Sequence, residues 1–592
     1  MSWQLYEKAR GLLSEEIGTI KKAFGGKISI ALCYPNTYQI GMSNLGFQKI
    51  YYLLNQYNDV LCERVFLPSP EDEIHFKKEN IPLFSLESQT PVHNFDILAF
   101  SVTFESDYIN ILKILDISHI PIRSKDRNER HPFLLMGGIC ATFNPEPLSD
   151  FIDMFFIGEG DEAVDDFVNA LRESYGSVVK ACSERSESNE FYQRLSAVDG
   201  FYIPSGYEAI YDDSGMVEKV LPRDGFPEKV KRRWVRDLNK TPTSSKVITS
   251  NTVFGDMFLI EVERGCGKHC RFCLAGYSYR PVRNYSAEVI LKEVSEGLRY
   301  KKKIGLIGSA ICDSPYIDEI SDGISKVGGT ISVSSLRLDR LSKKLIDLLS
   351  ASGHRTATIA PEAGSERLRK IINKEMSDDE ILNAVQFMAL AGLTNFKLYF
   401  LIGLPTETDD DIDAIVNLTK RIKHSILKIA KSKGHLGNIT LSVNPFIPKP
   451  FTPYQWERME DTKSLNSKIK KIKSGLKGVS NINIIHELPK WAFVQALLSR
   501  GDRRIGELLH KCYELNGDWF KTFRETNINP EFYVYRERDF DEILPWDHID
   551  SGIRKEYLVK EAKKSKEEKI TPPCPDEGEC RRCGDLGCVT NI

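Results

Sequence analysis

Short apolar segments with β character alternate with helical segments along the first 190 residues of the chain. The apolar segments are residues 27–33, 95–104, 131–138 and 153–160. Most of them end in Gly or Pro, and helical segments 46–55 and 161–174 follow two of them. This alternation predicts a doubly wound parallel sheet, because parallel strands are joined by helical crossovers. The ligand site of such a sheet lies beyond the carboxyl ends of its strands.

A second alternating series begins near residue 256. Its predicted strands are residues 257–263, 303–310, 329–335, 356–362, 395–405 and 438–448. The helices predicted between them are residues 286–301, 315–325, 340–352, 377–391 and 408–432. This α/β pattern predicts a partial or complete parallel β/α barrel, in which catalytic groups lie on loops at the carboxyl ends of the strands.

The two series divide the chain into four predicted regions. These are the doubly wound, flavodoxin-type domain 1–190, a connecting segment with short strands 191–250, the barrel 251–475, and a small α+β segment 476–592. Residues 180–192 are polar, which is typical of a linker or surface loop.

Charge and cysteine content limit the class of protein. The chain has 80 basic and 83 acidic residues, a balance that does not indicate a nucleic-acid or membrane coat. Its first residues contain no apolar signal-peptide core, and no uncharged apolar run approaches the roughly 18 residues of a membrane helix. We therefore expect a cytoplasmic protein without a membrane partner. In that compartment, clustered cysteines among the 13 present are expected to bind metal.

The first cysteine cluster follows the first strand of the predicted barrel and has the spacing C-x3-C-x2-C. It consists of Cys266, Cys270 and Cys273. Three thiolates on one loop can bind three irons of a 4Fe-4S cubane, and the fourth iron is then open to an exchangeable ligand. The alternative is structural zinc, which usually needs four ligands. His269 would have to supply the fourth from inside the same loop, as a cramped chelate.

This segment strongly resembles the radical S-adenosylmethionine (radical SAM) superfamily, with Phe272 in the aromatic position before the last cysteine. The resemblance implies a 4Fe-4S cluster on the three cysteines, whose fourth iron chelates S-adenosylmethionine (SAM). It implies that an external electron donor reduces the cluster, that SAM is cleaved, and that a 5′-deoxyadenosyl radical abstracts hydrogen from the substrate. The cofactors carry this chemistry, while the protein orients them and excludes water.

Later segments resemble the SAM-binding motifs of the same superfamily. The resemblance implies cofactor contacts for Gly308, Ser309, Glu362, Ser365, Gly403 and Glu407, in addition to Phe272. Gly308 and Ser309 end the second barrel strand, where the superfamily often has Gly-Gly-Glu contacting the methionine amino group. That glutamate is missing here. Alternatively, Glu362 and Glu407 are charges that complement helix N-termini.

Residues 1–190 are similar to the cobalamin-binding-type domain that precedes many radical SAM cores. The similarity lies in residues 136–147 and 153–164, whose glycines allow a flat cofactor to approach the backbone. The motif Asp-x-His-x-x-Gly, whose histidine binds cobalt, is absent, because the corresponding loop 34–46 has no histidine. Either cobalamin binds without a protein histidine, or the domain is a scaffold that recognises the substrate.

The second cysteine cluster lies in the last 20 residues of the chain. It consists of Cys574, Cys580, Cys583 and Cys588. Its spacing predicts either a zinc site with four thiolates or an auxiliary iron–sulfur cluster.

Taken together, the motifs predict a radical SAM enzyme that methylates or methylthiolates an RNA or a peptide. Two other hypotheses are a non-catalytic cobalamin or metal sensor on a retained barrel, and an RNA-binding scaffold. Arg500, Arg503 and Arg504 are candidates for RNA phosphate contacts or, alternatively, for a surface charge network.

Overall fold

The computed structural model describes residues 2–181, 188–334, 336–433, 437–575, 578–584 and 588–590. The helices of the N-terminal part are Ser2–Ser14, Tyr38–Gly41, Leu45–Leu54, Pro70–Lys78, Tyr108–Ile117, Ile139–Phe143, Ala163–Ala181 and Ser188–Ser196. The predicted linker 180–192 is wrong at both of its ends, because two of these helices extend into it. Its residues 182–187 lie outside the described part of the chain.

The N-terminal strands form one six-stranded sheet. They are β1 (Ile28–Tyr34), β2 (Val60–Phe66), β3 (Ile97–Ser101), β4 (Phe133–Gly137), β5 (Met154–Phe156) and β6 (Phe201–Tyr202). The spatial order is β2-β1-β3-β4-β5-β6, with β1 to β5 parallel and β6 antiparallel to β5. This confirms the doubly wound sheet and places its topological switch point between β1 and β3. Every residue of β1 is buried, which explains its continuous apolar run.

The predicted connecting segment contains short strands. β7 (Tyr207–Tyr211) and β8 (Val217–Pro222) form an antiparallel hairpin. The next strand, β9 (Val230–Lys231), pairs in parallel with a strand near the C-terminus, so the connecting segment is bonded to the end of the chain.

The second series forms two parallel sheets. Its strands are β10 (Met257–Glu261), β11 (Glu263–Arg264), β12 (Arg283–Asn284), β13 (Lys303–Ile307), β14 (Thr330–Val333), β15 (Thr356–Glu362), β16 (Asn395–Ile402), β17 (Ile439–Pro445) and β18 (Ile482–His486). The parallel orders are β10-β13-β14 and β15-β16-β17-β18, whereas β11 and β12 form a small antiparallel ladder. The Leu336 N–H donates to the Thr358 carbonyl at 3.0 Å and links the two sheets. All six predicted strands are present in these two sheets, and β18 adds a seventh.

Helices cover the barrel and build most of the C-terminal segment. They are Ala275–Ser278, Ala287–Gly297, Ile317–Lys326, Lys343–Ala351, Glu366–Ile371, Asp378–Leu390, Asp409–Lys433, Thr462–Gly475, Pro489–Arg500, Ile505–Glu514, Trp519–Glu525, Pro530–Val534 and Lys555–Lys566. The last strands are β19 (Ile549–Asp550), β20 (Gly578–Cys580) and β21 (Cys588–Thr590). Of the helices in the described ranges, none is long and apolar enough to cross a membrane.

Candidate active site

The three cysteines of the first cluster lie on the loop that follows β11. Cys266, Cys270 and Cys273 are half-buried and form no disulfide. Burial, and then the neighbouring Cys270, raise the pKa of Cys266 to about 12 and that of Cys273 to about 11. The thiols are therefore close enough to influence one another, and they need a cation to become thiolates. A bound metal supplies that cation.

The cysteine loop offers three thiol donors, the number that a cubane cluster with one open iron requires. Within the described ranges, no group of three or more His, Cys, Asp or Glu side chains is arranged to hold one metal ion. A cubane does not require convergence on one point, because each of its thiolates binds a different iron. Three mutually interacting thiols on one loop are the donors that such a cluster needs.

Both ring nitrogens of His269 contact residues other than the cysteines of its own loop, which argues against the zinc alternative. Its Nδ1 lies 3.1 Å from a guanidinium nitrogen of Arg280 and also contacts the hydroxyl of Tyr557. Its Nε2 lies 3.5 Å from Sγ of Cys574 in the C-terminal tail. Nδ1 of His269 thus contacts Arg280 and Tyr557, and Nε2 lies beside the tail residue Cys574.

The C-terminal segment anchors the cysteine loop through Arg271, which lies between the second and third cysteines. The Arg271 guanidinium is fully buried and pairs with the equally buried Glu561 at 3.2 Å. It also donates to the carbonyls of Ile371 and Lys569, each at 2.6 Å. The helix Lys555–Lys566 and the residues after it are therefore part of the structure that supports the site.

The tail cysteines lie next to this loop. The Cys574 N–H donates to the Gly267 carbonyl at 2.8 Å, and Arg280 donates to Sγ of Cys583 at 3.3 Å. Cys580 is paired with Cys588 in the ladder of β20 and β21, and the side chain of Cys588 lies outside the described residues. A metal at these four cysteines stays a prediction.

The predicted residues on the fourth and fifth barrel strands take part in local structure. Ser365 caps the helix Glu366–Ile371 by accepting the Leu368 N–H at 3.0 Å. Gly403 has a φ of 79° and donates its N–H to Glu407 at 2.7 Å. Because Glu407 also pairs with Lys468 at 2.7 Å, its carboxylate stabilises this loop.

Glu362 and Phe272 lie close to the cysteine loop. Glu362 has a φ of 65°, accepts a hydrogen bond from Lys374 at 3.1 Å and raises the pKa of Cys273 through its charge, after the larger effect of burial. Phe272 is half-buried against a small apolar cluster that includes Leu404. The structure therefore brings Glu362 near Cys273, whereas Phe272 belongs to the cysteine loop itself.

A cavity of about 550 Å³ lies between the N-terminal sheet and the first barrel strands. This volume falls within the usual range for sites that bind small molecules and cofactors. Its inner wall is largely apolar and includes Leu32, Ala99, Leu135, Phe156 and Phe167. Its barrel side is formed by Glu261, Glu263, Arg264, Gly265, Ser278, Tyr279, Ile307, Gly308 and Ser309. The predicted Gly308 and Ser309 thus face this cavity, and no histidine is among the described residues that line it.

Buried ion pairs fix the two sides of the cavity to each other. Arg264 pairs with Glu159 and Asp161, each at 2.9 Å, and Arg283 pairs with Glu159 at 2.7 Å. Lys49 completes the network through Asp161. Burial raises the pKa of Glu159, but the two arginines outweigh it and hold that pKa below the usual range. Sequence reasoning missed this network, although Glu159 and Asp161, which follow β5 within five residues, were a visible signal.

The three C-terminal arginines have hydrogen-bond or ion-pair partners within the chain. Arg500 is fully buried and donates to backbone carbonyls, including that of Tyr533 at 2.7 Å, so its prediction as a phosphate contact is wrong. Arg503 pairs with Glu146 at 2.9 Å, and Arg504 pairs with its neighbour Asp502 at 2.6 Å. Both agree with the charge-network alternative.

Two family models match the chain. "Radical SAM proteins, N-terminal" covers residues 46–204, and "Radical SAM superfamily" covers residues 260–419. An uncharacterized protein of Methanocaldococcus jannaschii is 31% identical over 484 residues, which are 81% of this chain and 90% of that protein. The chain belongs to the radical SAM superfamily. It is therefore a radical SAM enzyme, and this membership implies an iron–sulfur cluster and SAM as its cofactors.

Other radical SAM proteins resemble the chain more distantly. A tRNA-2-methylthio-N(6)-dimethylallyladenosine synthase of Bartonella quintana is 23% identical over 267 residues, 42% of this chain and 56% of that enzyme. The cobalamin-dependent radical SAM enzyme OxsB, with aqua-cobalamin bound, is 17% identical with a TM-score of 0.46, and the match covers 66% of this chain and 52% of OxsB. The radical SAM methyltransferase TsrM of Kitasatospora setae is 11% identical with a TM-score of 0.45, covering 84% and 97%. The chain thus spans about half the length of the tRNA enzyme and of OxsB.

Proposed function

We propose that this radical SAM enzyme holds a 4Fe-4S cluster on Cys266, Cys270 and Cys273, binds cobalamin in the cavity, and methylates or methylthiolates an RNA or a peptide. The observation that carries the proposal is that residues on both sides of the cysteine triplet line the cavity. Gly265, directly before the first cysteine, and Ser278 and Tyr279, after the last, all line it. A cofactor in the cavity would therefore lie beside the cysteine loop.

The shape and chemistry of the cavity suit the apolar part of a large cofactor. The sheet forms one wall, and the helices Leu45–Leu54 and Ala163–Ala181 contribute another. Because the described lining contains no histidine, cobalamin would bind here without a protein histidine on cobalt. We prefer cobalamin binding to the alternative of a substrate-recognising scaffold, because apolar residues of the N-terminal sheet line the cavity.

The residues of the chain supply binding, orientation and exclusion of water. The buried network around Arg264 keeps the N-terminal sheet in a fixed position over the barrel, and Arg271 keeps the cysteine loop on its C-terminal support. When bound, the reduced cluster supplies the electron that cleaves SAM. The name of the tRNA relative supports RNA as the substrate class, with a peptide as the alternative.

The proposal is tested by anaerobic reconstitution, followed by iron, sulfide and corrin analysis. We expect about four irons and four sulfides per catalytic site, one corrin per chain, and 5′-deoxyadenosine after reduction with SAM present. Radioactivity from methyl-labelled SAM should then enter RNA, or a peptide fraction, from cells that lack the enzyme. A chain that binds ligands without cleaving SAM would instead support the sensor hypothesis.

Gly137→Leu tests the cavity itself. A Cβ added at Gly137 meets only Phe156, at 4.0 Å, so a larger side chain can extend into the cavity without displacing backbone. We expect this variant to lose corrin while it keeps its cluster and SAM cleavage. Gly11→Leu is the matched control, because a Cβ at Gly11 has no neighbour within 4 Å and Gly11 is not among the residues that line the cavity. Equal corrin binding by both variants would refute the assignment of the cavity as the cobalamin site.

A further inference from the structure

Two exposed aromatic side chains and a lysine lie together on the C-terminal segment. Trp491 is 43% exposed and Phe520 is 39% exposed, and their ring centroids are 6.2 Å apart. The ammonium of Lys490 lies 5.2 Å from the centroid of Trp491 and 5.7 Å from that of Phe520. We call Lys490, Trp491 and Phe520 the aromatic patch. Large aromatic side chains that stay exposed side by side are typical of an interaction surface.

The aromatic patch lies on the side of the protein that carries the cavity. Trp491 is in the first turn of the helix Pro489–Arg500, which follows the carboxyl end of β18. Because β15 to β18 are parallel, this is the edge of the sheet at which barrel enzymes place their catalytic loops. One turn further along the helix, Gln495 donates to Glu105 at 2.9 Å. Glu105 comes two residues after Thr103, which lines the cavity.

A third exposed aromatic residue lies next to the cavity. Phe104, which is 44% exposed, stands between Thr103 and Glu105 in the chain. Burial raises the pKa of Glu487, just before the helix of Trp491, and the charge of Glu105 adds to this rise while Lys449 opposes it. Glu487 is therefore close to Glu105, and a strand bound on the aromatic patch can continue past Phe104 to the cavity.

The charges around the aromatic patch favour an anionic partner. Lys490 and Arg524 are exposed, and neither forms an ion pair with any residue that the structure describes. Arg524 lies one turn after Phe520, on the same face of the helix Trp519–Glu525. The acids at the two ends of that helix are already engaged, Asp518 as its N-cap and Glu525 in ion pairs with lysines.

We propose that the aromatic patch binds single-stranded RNA, with bases stacked on Trp491 and Phe520 and a phosphate held by Lys490. This inference rests on the proposed function, because it names the part of the chain that holds the RNA substrate. Every base has a π face, so stacking of this kind tolerates any sequence. No side chain caps the N-terminus of the helix Pro489–Arg500, whose partial positive charge adds to that of Lys490 at a bound phosphate. A peptide with apolar side chains would use the rings but leave Lys490 and Arg524 without an anion, which is why we favour RNA.

The test measures, by fluorescence anisotropy, the Kd of the anaerobically reconstituted full chain for a labelled oligoadenylate about 12 nucleotides long. Trp491→Ala and Phe520→Ala should each weaken binding about 5–150-fold, the usual effect of losing one stacked base. Trp491→Phe keeps a π face and should restore most of the affinity. Trp3→Ala is the matched control, because Trp3 is 65% exposed and lies on the helix Ser2–Ser14, outside the aromatic patch.

An abasic oligomer of the same length separates stacking from charge. It carries phosphates without bases, so the unchanged chain and Trp491→Ala should bind it with equal, weak affinity. Lys490→Gln should instead change the salt dependence of oligoadenylate binding. The slope of log Kd against log salt concentration should fall by about 0.7, the value for one phosphate contact on a single strand.

Each outcome decides a specific point. Equal affinity of Trp491→Ala and the unchanged chain for the oligoadenylate, or equal weakening for the oligoadenylate and the abasic oligomer, would refute base stacking on the aromatic patch. A dimer of the unchanged chain that Trp491→Ala abolishes without loss of RNA affinity would assign the patch to a second copy of the chain. A labelled aromatic peptide that Trp491→Ala releases, with RNA binding unaffected, would assign it to a peptide, and either result would refute the inference. RNA binding needs no chemistry, so a chain that binds the oligoadenylate but does not cleave SAM would refute the proposed function and not the RNA site.

Discussion

Replacing Arg271 with Met should destabilise the barrel and its cluster together. The guanidinium pairs with Glu561, both side chains are fully buried, and two backbone carbonyls accept from it at 2.6 Å. Removing one partner of a buried ion pair costs about 3–5 kcal/mol, because the other charge is left uncompensated. With about 2–4 °C lost per kcal/mol for a cooperative unit of 150–250 residues, Tm should fall by about 6–20 °C.

A double-mutant cycle separates the ion pair from simple packing. Arg271→Met, Glu561→Gln and the double variant are compared by thermal unfolding and by iron content after reconstitution. We expect the double variant to be less destabilised than the sum of the single variants, because the second change removes the stranded charge. Additive effects, or an Arg271→Met variant with unchanged Tm and iron content, would refute the view that the C-terminal segment supports the cysteine loop.

Three further predictions concern the cysteines and Glu263. Changing Cys266, Cys270 or Cys273 to Ala should abolish cluster loading and 5′-deoxyadenosine formation, measured by iron analysis and chromatography; normal SAM cleavage by any of them would contradict the cluster assignment. Because burial raises the pKa of Glu263 to about 8 in the folded chain, the stability it contributes is complete below about pH 4.3 and is lost as the pH rises to about 8. The Tm of the ligand-free chain should therefore fall more steeply over this pH range than that of Glu263→Gln. Parallel curves of Tm against pH for the two chains would contradict the raised pKa of Glu263. Cys583→Ser should remove any metal beyond the catalytic cluster, detected by elemental mass spectrometry, and leave catalytic iron unchanged; an unmodified chain without extra metal would exclude the tail site.

Most strands of the fold could be predicted from sequence because they are continuous apolar runs. β2 was missed because Glu63 and Arg64 interrupt it, and these charges are tolerated only in the folded chain. Arg64 is fully buried between Glu16 and Glu87, at 2.6 Å from each. Those partners come from other parts of the chain, so no local pattern reveals them.

The candidate site shows the same division between local and distant signals. The cysteine triplet was predictable because its ligands lie on one loop with a fixed spacing. The partners of Arg264 and Arg271 were not, because Glu159 and Glu561 are 105 and 290 residues away. Glu263 was also missed, since only the fold shows that its carboxylate accepts the N–H of Ala310, beyond the end of a different strand.

The central claim is that cobalamin binds in the cavity beside the cysteine loop, and a titration of the anaerobic, cluster-loaded chain with hydroxocobalamin tests it most directly. The corrin absorption spectrum reports how much cofactor is bound. We predict one equivalent for the unchanged chain and for Gly11→Leu, and none for Gly137→Leu. No corrin binding by the unchanged chain, or one equivalent bound by Gly137→Leu, would contradict the claim.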